Sequence, residues 1–337
     1  MSATQLETLA HDRFGLAVRG DVRELHAGHI NRSALLRTDD GAVVLQEINT
    51  AVFTDVNAVM TNIEKIVEAA TAANLPALTL LRSVDGALYV VDDGIAWRCY
   101  RYVDGAATPP ITNPEDAQST ARAFGRYARA IADLDLVEHL PRYHDFDDRL
   151  ASFEMAVSEN ELDRLRECEA AVEQLIVVAD KLRLSGGYEA WASVPTRNAH
   201  NDAKGPNCIV GPTGARTIID LDTTMPGTLL SDIGELVRSA TRELHDASPA
   251  TLMAQIESVN RGFLAGYGAE LEAVERSAML LAGPLLATEN AARFLADHLN
   301  GDKYYGATEP NQNRDRGEAQ LSLAMRLIDA IEWATAS

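Results

Sequence analysis

Several things are scarce in this sequence. Three cysteines, Cys99, Cys168 and Cys208, stand among 337 residues. An odd number so widely spaced fits neither a disulfide framework nor a zinc site; it points to a reducing cytoplasm and to thiols that are core or inert. Long apolar runs are missing. The best, Ala278–Ala287, is interrupted by Gly283 and Pro284 and falls short of the roughly 20 residues a membrane helix needs. The polar start, Met1–Asp12, lacks a basic flank before an apolar stretch, so no secretory signal is expected. Positive charge is also short. Thirty basic against fifty acidic side chains leave a formal charge of −20, which excludes a general affinity for nucleic acid. A nucleotide is not excluded, because its phosphates need only a local patch or a metal ion. What is present, 46% hydrophobic and 24% charged residues, suffices for one large or two modest globular domains. A soluble, acidic, cytoplasmic protein is expected.

The first hundred residues read as strands around one helix. Asp21–Leu25, Ser33–Arg37 and Ala42–Gln46 are short and β-rich, with turn signals at Ala27-Gly28 and Asp39-Asp40-Gly41. Thr54 or Asp55 can cap a helix to about Ala72, whose Val56, Val59, Met60, Ile63, Val67 and Ala70 form one apolar stripe. Leu78–Ser83, Ala87–Val91 and Ala96–Val103 return to strands. Beyond Asp104 the texture turns helical, over Glu115–Leu134, Phe146–Leu184, Asp232–Leu244, Pro249–Gly266, Glu270–Leu299 and Gly317–Thr335. The class is α+β, with a β-rich lobe over residues 1–103 and a helical lobe over 104–337.

One hairpin signal interrupts the helical part. Asn207–Val210 and Thr217–Asp220 flank Gly211-Pro212-Thr213-Gly214. A register symmetric about that loop sets Asn207 opposite Asp220, so an amide oxygen and a carboxylate converge at one end. Two oxygen ligands suit a hard cation such as Mg²⁺. His200-Asn201-Asp202-Ala203-Lys204 stands just before the hairpin. Phosphoryl transfer needs a carboxylate to take the proton of an attacking hydroxyl, oxygen ligands for the metal, and a cation for the moving phosphoryl. Asp202 can be the first, Asn207 and Asp220 the ligands, and Lys204, one of only four lysines, the cation.

The pattern His-x-Asp-x-Lys-x-x-Asn followed by Ile219-Asp220-Leu221-Asp222 resembles the bilobal protein-kinase-like fold, and within it the aminoglycoside and choline phosphotransferases. The chain looks most like the N-acetylhexosamine 1-kinase group. Gly28-His29-Ile30-Asn31, Leu45-Gln46-Glu47-Ile48-Asn49, Trp97-Arg98, Met225-Pro226-Gly227 and Arg293-Phe294-Leu295 carry that likeness over most of the chain. It implies ATP as donor, Mg²⁺ as cofactor, and the anomeric hydroxyl of GlcNAc, GalNAc or a related hexose as acceptor. It also implies Asp202 as base, Asn207 and Asp220 on the metal, and Asp222, Arg293 and Tyr304 on the sugar. The nucleotide is expected at Gly28, His29, Ile30, Asn31 and Arg32, and at Arg101 and Val103. Gln46 takes the place of the lysine that protein kinases carry on the third strand, as in the hexosamine group, while two departures from that group, Glu47 and the segment Ala203-Lys204-Gly205-Pro206, stand close to the chemistry.

Other readings of the same residues stay open. Asp202 or Asp220 alone is a common turn or cap residue. His200 is expected to fix its loop by hydrogen bonds. Arg293 reads equally as a salt-bridge partner, Tyr304 and Tyr305 also as packing, and His144-Asp145 either as a pair that approaches the substrate or, preferably, as a turn after Pro141. Asp222, Asp232 and Glu235 near the hairpin would suit a cationic acceptor such as an aminoglycoside or amino alcohol. A non-catalytic nucleotide-binding protein is the third functional class.

Overall fold

A computed structural model describes residues 2–25 and 30–336. Gly28 and His29, expected at the nucleotide, lie outside the described residues. The chain runs α1 (Ala3–Phe14), β1 (Arg23–Leu25), β2 (Ser33–Thr38), β3 (Gly41–Ile48), α2 (Val56–Ala72), β4 (Leu80–Leu81), β5 (Val90–Asp92), β6 (Ile95–Arg101) and β7 (Ala106–Ala107). Then come α3 (Pro114–Ile131), α4 (Phe146–Glu159), α5 (Leu165–Leu184), α6 (Gly187–Ser193) and β8 (Arg197–Ala199). β9 (Cys208–Val210), β10 (Arg216–Ile218), β11 (Met225–Gly227), α7 (Leu229–Thr241), α8 (Pro249–Tyr267), α9 (Ala273–Leu299) and α10 (Gln312–Ala336) complete it. No described helix is long and apolar enough to cross a membrane.

Contacts concentrate in two compact units. One comprises Met1–Ala107, Ala130–Pro141 and Asn207–Pro226; the other Thr108–Arg129, Arg142–Pro206 and Gly227–Ser337. The division expected at 103/104 therefore becomes a discontinuous one. Two later segments join the β-rich part because their partners are there: Asn62 on α2 donates to the Val137 carbonyl, and β7 pairs with β9. Gly105, just before β7, permits that pairing, since a Cβ on it would stand 2.5 Å from the Val210 carbonyl oxygen.

The first unit is an antiparallel sheet in the order β1-β2-β3-β6-β4, with β5 also on β6. Alternation along β2 and β3 sends Ala34, Leu36, Val43 and Leu45 to one face, where Leu6, Leu9 and Phe14 of α1 cover them with Trp97 and Cys99 of β6. Ser2 caps α1 in a reciprocal capping box with Gln5. Truncating one of these buried leucines to alanine is a change of about 2–5 kcal/mol. Residue alternation turns Arg98 to the other face, towards Met60 of α2, whose sulfur lies 3.7 Å from Nη1.

The second unit is helical. α9 is buried along most of its length, with α10, α7, α4, α5 and α6 packed around it. α3 and α8 meet at backbone distance through glycine. A Cβ at Gly125, Gly262 or Gly266 would stand 2.2 Å from the carbonyl oxygen of Phe263, Gln118 or Arg122 respectively. The helical stretch expected over Phe146–Leu184 breaks in the middle, because Asn160 takes a left-handed conformation (φ 37°) and ends α4.

Candidate active site

In the second unit, a left-handed turn at Asn201 (φ 62°) precedes Asp202. Every side of that turn is held. Asp232 of α7 accepts from the Asn201 amide at 2.8 Å and the His200 amide at 3.0 Å, and Ser231 Oγ donates to Asn201 Oδ1 at 2.9 Å. A Cβ at Gly227 would lie 2.5 Å from that same Oδ1, so a larger residue there would press on the Asn201 side chain. His200 is fully buried between Phe124 and Tyr127, and its Nδ1 accepts the Asp202 amide at 3.3 Å. It is the loop-fixing residue the sequence suggests.

Lys204 Nζ donates to Asp202 Oδ2 at 2.7 Å, and both side chains keep some exposure. Burial alone would raise the Asp202 carboxyl. The Lys204 charge, aided by His200 and Arg238, overrides it and holds the carboxyl below its ordinary 3.8. An ionised carboxylate on a rigid turn is what a general base requires.

Arg293 of α9 belongs to the same unit. Its guanidinium sits over the rings of Tyr305 (5.4 Å) and Tyr143 (5.7 Å) and 3.8 Å from Glu289. Tyr304 is 65% exposed and stands edge-on to Tyr305 at 4.8 Å. Arg293 and Tyr304 are thus brought together through Tyr305. The salt bridge that competes with a substrate role for Arg293 is also there, one turn back on its own helix.

The first unit carries the hairpin, and its register differs from the symmetric one. Arg216 pairs with Val210, Thr217 with Ile209 and Ile218 with Cys208. The Gly211 amide closes on the Ala215 carbonyl at 2.8 Å, so the loop is Pro212-Thr213-Gly214 with Gly214 left-handed (φ 80°), a shift of one residue. Ile219, not Asp220, stands opposite Asn207, donating its amide to the Asn207 carbonyl at 3.0 Å. Asp220 lies one step beyond, exposed, with a left-handed backbone (φ 61°). An amide oxygen from Asn207 and an exposed carboxylate from Asp220 remain a hard donor set that fits Mg²⁺.

Asp222, expected on the sugar, is held by groups of the protein itself. It is 2% exposed, and Arg98 Nη1 and Nη2 grip both its carboxylate oxygens, the second at 2.7 Å. Asn31 Nδ2 donates to Oδ2 at 2.5 Å, while Asn31 Oδ1 accepts the Asn49 amide at 2.9 Å. Asn31, expected on the nucleotide, is therefore committed at both ends to the protein. Arg98 also donates to Gln46 Oε1 from Nε (2.9 Å) and Nη2 (2.6 Å), and Gln46 donates to Ser33 Oγ at 2.8 Å. The residue in the lysine place of the third strand thus holds a buried arginine from the neighbouring strand. Burial opposes the charge on Arg98, but the Asp222 carboxylate outweighs it and raises its pKa. Of the other residues expected at the nucleotide, Ile30 is 44% exposed and the Arg32 guanidinium is largely exposed, 3.5 Å from Glu47. Arg101 is exposed, with its guanidinium on the Asp40 carbonyl, and Val103 is half-buried.

Sequence reasoning gave no role to Arg98, nor to the cluster of His144, Glu289 and Arg149, of which only Arg149 is partly exposed. Their signal is weak, because each pairs with a residue far along the chain. Asp145 does cap α4, accepting the Asp148 amide at 3.0 Å, but the His144 side chain beside it is buried against the turn at Asn201. The three cysteines are free and buried.

Comparison with known proteins accords with this geometry. The sequence profile of the APH phosphotransferase enzyme family matches residues 21–279. The structure is similar to that of a spectinomycin phosphotransferase in complex with ADP and spectinomycin, with a TM-score of 0.64, 13% identity and 98% of each chain covered. An amicoumacin kinase in complex with AMP-PNP and Ca²⁺ gives a TM-score of 0.65 at 12% identity, covering 96% of this chain and 93% of that one. A choline/ethanolamine kinase family protein from Mesorhizobium loti gives 0.61 at 17% identity, covering 98% and 95%. At such identities the likeness establishes the fold, which is the bilobal protein-kinase-like one. The profile spans well over half of the sequence: the chain belongs to the APH phosphotransferase enzyme family and is a small-molecule phosphotransferase.

Proposed function

We propose that the protein transfers the γ-phosphoryl group of ATP to a sugar hydroxyl, the anomeric hydroxyl of an N-acetylhexosamine or a related hexose. The observation that carries this reading is the ionised Asp202 carboxylate, held by Lys204 at 2.7 Å on a turn locked from every side. Asp202 orients the acceptor hydroxyl and takes its proton as the oxygen bonds to phosphorus. The bond from phosphorus to the bridging oxygen breaks, and its electron pair leaves on ADP. An anomeric hydroxyl is somewhat more acidic than an ordinary alcohol, so one carboxylate is a sufficient base. Lys204 supplies positive charge where the transferring phosphoryl gains negative charge. Asn207 and Asp220 would hold Mg²⁺, which when bound neutralises phosphate charge. Arg32, largely exposed and 3.5 Å from Glu47, is a candidate cation for the phosphates where the third strand has no lysine.

Arg293 favours a neutral acceptor. A guanidinium framed by Tyr143 and Tyr305 repels a polycation but donates well to sugar oxygens. The names of the solved relatives favour a second reading, in which the acceptor is an aminoglycoside or amino alcohol. An ADP-release screen with Mg·ATP decides between them, using GlcNAc, GalNAc, glucosamine, galactose, choline and an aminoglycoside, with phosphorus NMR of the product. Turnover on an N-acetylhexosamine with an anomeric phosphate is the expected result. Turnover confined to choline or the aminoglycoside would overturn the sugar assignment, and none on any acceptor, with nucleotide still bound, would favour a non-catalytic protein.

A further inference from the structure

The peptide group joining Asn201 to Asp202 is gripped along both edges by histidines. Its N–H is accepted by His200 Nδ1 at 3.3 Å, and its carbonyl lies 2.9 Å from His144 Nε2. The other nitrogen of His144, Nδ1, is 2.8 Å from Glu289 Oε2. Both partners of His144 are acceptors only, a carbonyl and a carboxylate. A neutral imidazole has one N–H and cannot serve both; an imidazolium has two and does.

The surroundings support the charged ring. The His144 side chain is 6% exposed and that of Glu289 is fully buried. Among the described residues Glu289 Oε1 has no hydrogen-bond partner, and it stands 3.7 Å from Arg149 Nε of α4 and 3.8 Å from Arg293 Nη1 of its own helix. From α7, Glu235 and Asp232 act on His144 by charge, and Tyr143 stands edge-on to it at 4.7 Å. Burial works against the imidazolium, but Glu289, then the Asn201 carbonyl and Glu235, outweigh it, and the His144 pKa lies above its ordinary 6.5. The Glu289 carboxyl shifts the opposite way, below its ordinary 4.5, as one ionised pair requires.

We propose that His144 is a positioning residue for phosphoryl transfer, its doubly protonated ring fixing the peptide that leads into Asp202. The inference rests on the reading of Asp202 as base. His144 touches neither substrate nor reacting atoms; it sets where the carboxylate stands. Loss of a ring proton sets a lone pair against either the Asn201 carbonyl or the Glu289 carboxylate, and the turn shifts. Because the folded pKa is raised, the competent form is complete at lower pH and disappears as pH rises through that value.

The test measures single-turnover transfer against pH for the wild type, His144→Leu and His144→Gln, alongside nitrogen-15 NMR of the wild-type ring. His144→Leu is expected to slow transfer about 100-fold, the order of loss from an ångström-scale misplacement, with both KM values within about 2-fold. His144→Gln, a neutral donor, should recover part of the rate, and neither variant should keep the wild-type alkaline decline. The wild-type ring should carry both protons at neutral pH and titrate with that decline. A singly protonated ring at neutral pH, a titration that does not track the rate, or variants with the wild-type rate and pH profile would each overturn the proposal. The ring measurement holds even if His144→Leu fails to fold. Failure of the underlying reading shows differently, as wild-type turnover in Asp202→Asn. An inactive Asp202→Asn beside unaffected His144 variants removes the present inference alone.

Discussion

Arg98 and Asp222, 124 residues apart, meet fork to fork with each side chain 2% exposed. Asp222 follows the metal-ligand candidate Asp220 by two residues, and the His139 ring lies 2.7 Å from its backbone carbonyl. The pair therefore ties the turn after the hairpin to β6, and through Gln46 to β3.

Breaking such a pair from one side leaves an uncompensated buried charge. Arg98→Met should destabilise the protein by about 3–5 kcal/mol, and Asp222→Leu by a similar amount. The double variant should lose clearly less than the sum, since nothing charged is then stranded. Urea melts of the four proteins measure this cycle. Additive losses would mean that Arg98 and Asp222 act separately.

Local signals were legible and distant ones were not. The stripe from Val56 and the Asp55 cap marked α2 correctly, because a helix period and its capping residue lie within one short window. The Gly-Pro-Thr-Gly loop marked the hairpin, yet its register slipped by one. Whether Ala215 pairs with Gly211 depends on the left-handed turn at Gly214, which residue types alone leave open. The helix α1 went unread because Ser2 and Gln5 cap a polar surface helix whose apolar face is completed only by the sheet. Asp222 and Asn31 were read as ligand contacts because nothing in their spacing announces the partners they take within the protein, Arg98 on β6 and Asn49 just past β3. His144 and Glu289 are 145 residues apart, and nothing in either neighbourhood announces the other.

Arg293 lies 3.8 Å from Glu289 and over two tyrosine rings, so its replacement separates two roles. Arg293→Ala should raise the acceptor KM about 10- to 100-fold, the worth of a charged hydrogen bond, and leave the ATP KM within about 2-fold. Steady-state kinetics with each substrate varied in turn reads the difference. Equal effects on both would move Arg293 out of the acceptor site and leave it a structural partner of Glu289.

The pairing of Lys204 with Asp202 has a pH signature. The Asp202 carboxyl is depressed, so it is ionised above 3.8 and loses its charge only as pH falls through a still lower folded value. Wild-type kcat/KM should therefore show no acid limb from Asp202 between about pH 5 and 8. Lys204→Met removes the main opposition to burial, which then pushes the carboxyl upward and carries an acid limb into that range. A ratio of kcat/KM at pH 8 to that at pH 5 well above the wild-type ratio is the expected result. Loss of the lysine's charge at the phosphoryl group lowers the rate at every pH and leaves this ratio alone. An unchanged ratio with a uniform drop would assign Lys204 to the phosphoryl group alone.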